Sequence, residues 1–225
     1  TNSYFPSKNI SNEQFLKIKH EWLLKNSDLN LIEEYLIKNK GIKNSDKLVE
    51  YLVDEYLSRS ELDKACKIFS HITYSGENNY LSKFHIYCLI NDNKREEAQL
   101  QFDLKTELGF KDDFFEKKFN YLMEYTSSVD KTISEESILN FHLSHRTNPN
   151  FTFEPDDSTS KKIWRYLSTS NLLINIESID LEDKKKISSI EKATHEGNYT
   201  EEELFDLYKR FQFNINQLLN IKQSY

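Results

Sequence analysis

Few residues in this chain combine a reactive side chain with a spacing that could use it. His142 and His145 stand three apart, which sets both imidazoles on one face of a helix, as a zinc site requires. No cysteine or carboxylate falls at a spacing that completes three ligands, and no HExxH motif occurs. The pair therefore reads as histidines at a helix C-terminus, where the negative dipole end favours a cation. His20, His71, His85 and His195 are isolated, and His20 and His71 read as surface or cap-adjacent residues. Acidic neighbours occur at Glu33-Glu34, Glu96-Glu97, Asp112-Asp113, Glu135-Glu136 and Glu201-Glu202-Glu203. Paired carboxylates can cleave a glycosidic bond. Most of these groups fall where a helix begins, however, and negative charge there stabilises the helix dipole. No GxSxG elbow offers a nucleophilic serine. The four glycines (Gly41, Gly76, Gly109, Gly197) are far apart, so neither a P-loop nor a dinucleotide fingerprint exists. The sequence thus names no catalytic residue, no cofactor and no metal ligand.

Cys66 and Cys88 lie inside helical segments without a CxxC partner and read as two small buried thiols. That leaves cytoplasm and periplasm both open. The chain of 225 residues carries 30 basic and 37 acidic side chains, a net charge of −7. Its longest basic run, Lys184-Lys185-Lys186, follows Asp180, Glu182 and Asp183, so nucleic acid is a poor partner. Apolar runs reach only three or four residues, as in Leu172-Leu173-Ile174, far short of the roughly 18 that span a bilayer.

Aromatic residues are more suggestive. Phe110, Phe114, Phe115, Phe119, Tyr121 and Tyr125 crowd one helix, too many for a single core stripe. Phe110, Phe114, Phe115, Tyr121 and Tyr125 are accordingly the candidate partner-binding residues, the alternative being core between neighbouring helices. Phe205, Tyr208, Phe211 and Phe213 form a second set that reads mostly as core.

The elements that must position these residues are helices. Glycine and proline together number only 4 and 3 of 225 residues, too few for the turns of a sandwich, barrel or propeller. Helices of roughly 10 to 17 residues are punctuated by caps. Ser11 with Gln14 and Thr200 with Glu203 have capping-box spacing. Ser27, Ser45 and Ser60 open helices, and Gly41, Gly76, Gly109 and Gly197 fall at helix ends. Further helices are expected at 80–90, 93–108, 112–125, 133–145, 161–168 (capped by Thr159 or Ser160), 180–195 and 200–213, with another starting at 214–221. The longest irregular stretch, 145–160, carries Phe151 and Phe153 alternating with polar neighbours, a pattern that packs a loop onto helices.

A repeat underlies part of this string. Ala65 and Phe69 recur as Ala98 and Phe102, and one step back the same positions hold Ile32 and Leu36. Each alanine follows a short polar turn, and Tyr56 precedes Ala65 by nine. Over about residues 28–108 this resembles the tetratricopeptide pattern, in which an alanine and a phenylalanine four apart mark the second helix of each hairpin. Val53 stands where that pattern has glycine, Ser82 where it has an aromatic, and proline is absent from the repeat ends. The resemblance implies stacked antiparallel helical hairpins. Residues 65–115 and the segment EKATHEGNYTEEELFDLYKRFQF also resemble stretches of long helical proteins of alphaproteobacteria, which implies a fragment of a larger helical array.

The expected fold is an all-α, tetratricopeptide-like solenoid, with hairpins over 1–125 and a less regular helical continuation over 126–225 packed on the first part. A chain that begins at Thr1 and ends at Tyr225 without a terminating element reads as a piece of a longer protein or one that lost a leader. The expected function is a non-enzymatic interaction module whose concave helical face takes a protein or peptide with a basic or amphipathic segment. The alternative is the helical superstructure of an enzyme whose catalytic domain lies outside this segment.

Overall fold

A computed structural model describes residues 9–26, 28–40, 45–156 and 158–211. Among these the chain is all-helical, with eleven α-helices and no strand. Contacts divide it into two compact units, Thr1–Phe151 and Thr152–Tyr225.

The first unit contains α1 (Asn12–Asn26), α2 (Leu29–Lys38), α3 (Asp46–Ser58), α4 (Leu62–Phe69), α5 (Asn79–Asn91), α6 (Arg95–Glu107), α7 (Asp113–Leu122) and α8 (Ile138–Arg146). The Ser11/Gln14 capping box forms: Gln14 N–H donates to Ser11 Oγ at 3.1 Å and Ser11 N–H to Gln14 Oε1 at 3.0 Å. Asp28 caps α2, Asn78 caps α5 and Asp112 caps α7, each side chain accepting from first-turn N–H groups. The expected signals at Ser27 and Gly41 lie outside the described residues.

Four helix ends of this unit share one device. Ser60, Asn93, Gly109 and Glu124 adopt left-handed φ values of 58°, 59°, 92° and 62° after α3, α5, α6 and α7. The next N–H then reaches back to the helix: Glu61 to the Tyr56 carbonyl, Lys94 to Leu89, Phe110 to Lys105 and Tyr125 to Asn120, at 2.8–3.0 Å. This is the six-to-one bond of a Schellman cap, which satisfies carbonyls that the helix itself leaves open. Ser60 therefore closes α3 and does not open α4, whose N-cap is Glu61. Gly76 ends no helix; it sits in the loop before α5.

Apolar spacing decides the packing. Leu48, Val49, Leu52, Val53, Tyr56 and Leu57 of α3, with Leu81, Phe84, Ile86 and Tyr87 of α5, are buried and form the centre of the unit. α3 packs on α4 and α5 on α6, while α3 also meets α1, α2 and α5, and α5 meets α7. α8 lies against α3 and α7 and buries every residue from Ile138 to Ser144. It starts at Ile138 and not Ile133, because Ser137 is the residue whose hydroxyl accepts the Asn140 N–H. Glu135 and Glu136 consequently precede the helix.

The two cysteines are not free thiols. Cys66 of α4 and Cys88 of α5 form a disulfide with Cα atoms 5.4 Å apart, so the expectation of two reduced thiols is corrected. Spacing along the chain could not reveal it, because the 22-residue separation closes only when α4 and α5 pack together.

The second unit contains α9 (Lys161–Thr169), a 3-10 turn (Ile176–Ser178), α10 (Lys184–His195) and α11 (Glu201–Lys209). Trp164, Ile176, Ile179, Ile187, Ile190, Ala193, Tyr199 and Leu207 make its core. Ser160 is the α9 cap, and Thr200 with Glu203 forms the expected capping box. The Arg210 guanidinium donates to the carbonyls of Ile176 and Ile179 at 2.8 and 2.7 Å, fixing the turn. Asn171 and Gly197 repeat the left-handed cap after α9 and α10. Phe213 and the helix expected at 214–221 lie outside the described residues.

Candidate functional site

The predicted aromatic set is divided by the fold. Phe115 is buried, Phe110, Phe114 and Tyr121 are half-buried, and only Tyr125 is exposed. The rings mostly touch one another and α6. Phe102 stacks on Phe119 with centroids 4.3 Å apart, and Phe115 lies 6.1 Å from Phe102 and 6.2 Å from Phe110. The spacing that crowds α7 with aromatics therefore serves the α6–α7 contact, where offset and edge-on ring pairs are favourable.

Tyr125 borders an open groove of about 1000 Å³ lined by Lys117, Asn120, Thr126, Ser128, Val129, Asp130, Lys131 and Thr132. Its wall is fixed from beneath. Lys118 is buried and donates to the Asp130 carbonyl at 2.6 Å and to Asp130 Oδ1 at 3.3 Å. Burial pushes the Lys118 ammonium down from its ordinary value. Burial alone would raise the Asp130 carboxyl, but the Thr132 hydroxyl and N–H, with Lys118, hold it down at about 2. The irregular segment after α7 is thus pinned at one carboxylate.

Polar side chains line the inner side of α8. Lys83 of α5 donates to Asp112 Oδ2 at 2.8 Å and to Asn140 Oδ1 at 3.3 Å, joining α5, the α7 cap and α8. Tyr87 and His142 share a hydrogen bond of 2.9 Å, and their rings meet edge-on. Burial first, then the charges of Arg146 and His145, push His142 down to about 3, so it stays neutral across the physiological range. His145 is lowered chiefly by burial and rests on Phe151, which also packs edge-on against Phe141. His142 is therefore a neutral, buried hydrogen-bonding residue and not half of a cationic pair at the helix C-terminus. His20 corrects a second expectation: it is buried and pairs with the Tyr35 hydroxyl at 3.2 Å. Among the described residues no three His, Cys, Asp or Glu side chains could jointly hold a metal ion. No helix among them is long and apolar enough to cross a membrane.

A surface that the sequence reading passed over is the exposed face of α6. Ala98 is the one residue of this helix that is fully buried. Leu100, Leu104 and Leu108, four apart, remain 58%, 44% and 83% exposed. Glu96, Glu97, Asp103 and Glu107 flank them and are exposed too, whereas Lys105 turns away to the Gly76 carbonyl. The signal was present in the sequence: three leucines at helical spacing beside the face that carries Ala98 and Phe102. No family model, curated protein or solved structure matches the chain.

Proposed function

We propose that this chain is a non-enzymatic protein-interaction module of stacked, tetratricopeptide-like helical hairpins that docks an amphipathic helix with basic flanks on the exposed face of α6. The hairpin reading rests on residues that recur after 33 positions in equivalent roles. Ala65 and Ala98 are both buried where one helix approaches the next, and Ser60 and Asn93 are both left-handed caps. α8 lies against α3 and α7 and is bonded to α5, so those helices offer their surface to it. α6 packs on α5 and keeps its opposite, leucine-bearing face exposed.

One observation carries the docking reading: the exposed Leu100/Leu104/Leu108 stripe bounded by four exposed carboxylates. Half-exposed leucines gain on the order of 1 kcal/mol each when a partner covers them. Basic residues flanking an apolar helical stripe would meet Glu96, Glu97, Asp103 and Glu107, which favours encounter and register. The test is fluorescence-anisotropy titration with a labelled helical peptide bearing leucines at i, i+4 and i+8 and lysine flanks. Saturable binding should weaken tenfold or more in L100E/L104E and in a peptide with glutamate flanks. Equal affinity for all three combinations would refute docking on this face.

A further inference from the structure

We infer that the Cys66–Cys88 disulfide is a permanent structural bond and that the chain matures in an oxidising compartment. This is independent of the docking reading. Cys66 and Cys88 are the only cysteines of the sequence, and both are consumed in the bond. Their Cα separation of 5.4 Å lies within the range a disulfide spans without moving the backbone. Both are buried, at 5% and 6% exposure. A regulatory or catalytic disulfide needs an accessible sulfur and a stabilised thiolate. Neither condition is met. No CxxC motif exists, and Cys88 sits in the last turn of α5, where the negative helix end disfavours a thiolate. The bond instead ties α4 to α5 across the Ser70–Asn78 connection, joining the α3/α4 pair to the α5/α6 pair. Buried bonds of this kind form and persist where thiols are not kept reduced, as in a periplasm or outside the cell. In forming it, the two thiols lose two electrons and two protons, which reduce a disulfide oxidant of that compartment to its dithiol.

The experiment counts thiols in the chain as its host makes it. Cells are separated into cytosolic and extracytosolic fractions, quenched in acid, and denatured. The thiols are then alkylated with a maleimide before or after reduction, and adducts are counted by mass spectrometry. The expected result is a chain in the extracytosolic fraction with no adduct before reduction and two after. Recovery from the cytosol, or adducts before reduction, overturns the inference. A second measurement separates a structural bond from a switch: the native protein should resist dithiothreitol for hours and be reduced within minutes in urea. Reduction within minutes in the native state would mark an exchangeable bond and overturn the structural assignment.

Discussion

Breaking the Cys66–Cys88 bond gives the clearest energetic prediction, because its main effect follows from the length of the loop it closes. The bond closes a loop of sequence separation 22. Loop-closure entropy removed from the unfolded chain then amounts to about 3 kcal/mol at 25 °C. For a protein of this size each kcal/mol moves the melting midpoint by about 2–4 °C, so loss of the bond should lower it by about 6–12 °C. The assay is circular dichroism at 222 nm on the oxidised chain, the chain reduced in urea and refolded in reductant, and C66A/C88A. The reduced chain and the double variant should both melt earlier, the variant somewhat more because it also loses buried sulfur. Both should retain the helical spectrum at 25 °C, since α4 and α5 keep their own apolar faces. Midpoints within 2 °C of the oxidised chain would refute the claim that this bond couples the two helix pairs.

Four further outcomes follow from named contacts. N93G should stabilise the fold by a fraction of about 1 kcal/mol, since Asn93 holds a left-handed φ value that glycine adopts freely; urea midpoints report this. A98L should destabilise by about 1–3 kcal/mol through overpacking, because Ala98 is fully buried where α6 meets its neighbours; an unchanged urea midpoint would deny that close approach. His142, held at about 3 against an ordinary 6.5, binds its proton more readily in the unfolded chain, so its contribution is complete above pH 6.5 and shrinks as pH falls towards 3. Between pH 7 and 4.5 this should cost about 2–3 kcal/mol of unfolding free energy, and H142Q should flatten that part of the pH profile. L100E/L104E should leave the melting midpoint within about 2 °C of wild type, because neither leucine is buried; a larger drop would mean that the stripe is core.

Local chemistry carried the legible part of the fold. Capping boxes at Ser11/Gln14 and Thr200/Glu203, and the helix-ending Gly109 and Gly197, all depend on neighbours within one helical turn, so they can be read along the chain. What escaped depends on residues far apart. The Cys66–Cys88 bond, the His20–Tyr35 pair and the burial of His142 against Tyr87 exist only once helices pack. Ser60 shows a subtler failure. A serine with an acid three positions later resembles the start of a helix, yet the Glu61 N–H returns to Tyr56 and makes Ser60 the end of α3. Part of the aromatic richness of α7 serves a contact within the chain, because Phe102 of α6 supplies the ring that Phe119 stacks on, while Tyr125 stays exposed. An aromatic count cannot distinguish a partner within the chain from one outside it.

The most direct test of docking on α6 is a site-specific photocrosslink in the host. A benzophenone side chain at position 104 samples the exposed stripe, and the same group at Glu77, in the loop before α5, serves as the control. Docking on α6 predicts one dominant adduct from position 104, absent from position 77, that maps to an apolar helical segment with lysine or arginine flanks and disappears when Leu100 and Leu108 are changed to glutamate. No adduct at position 104, or the same adducts from both positions, would contradict the account.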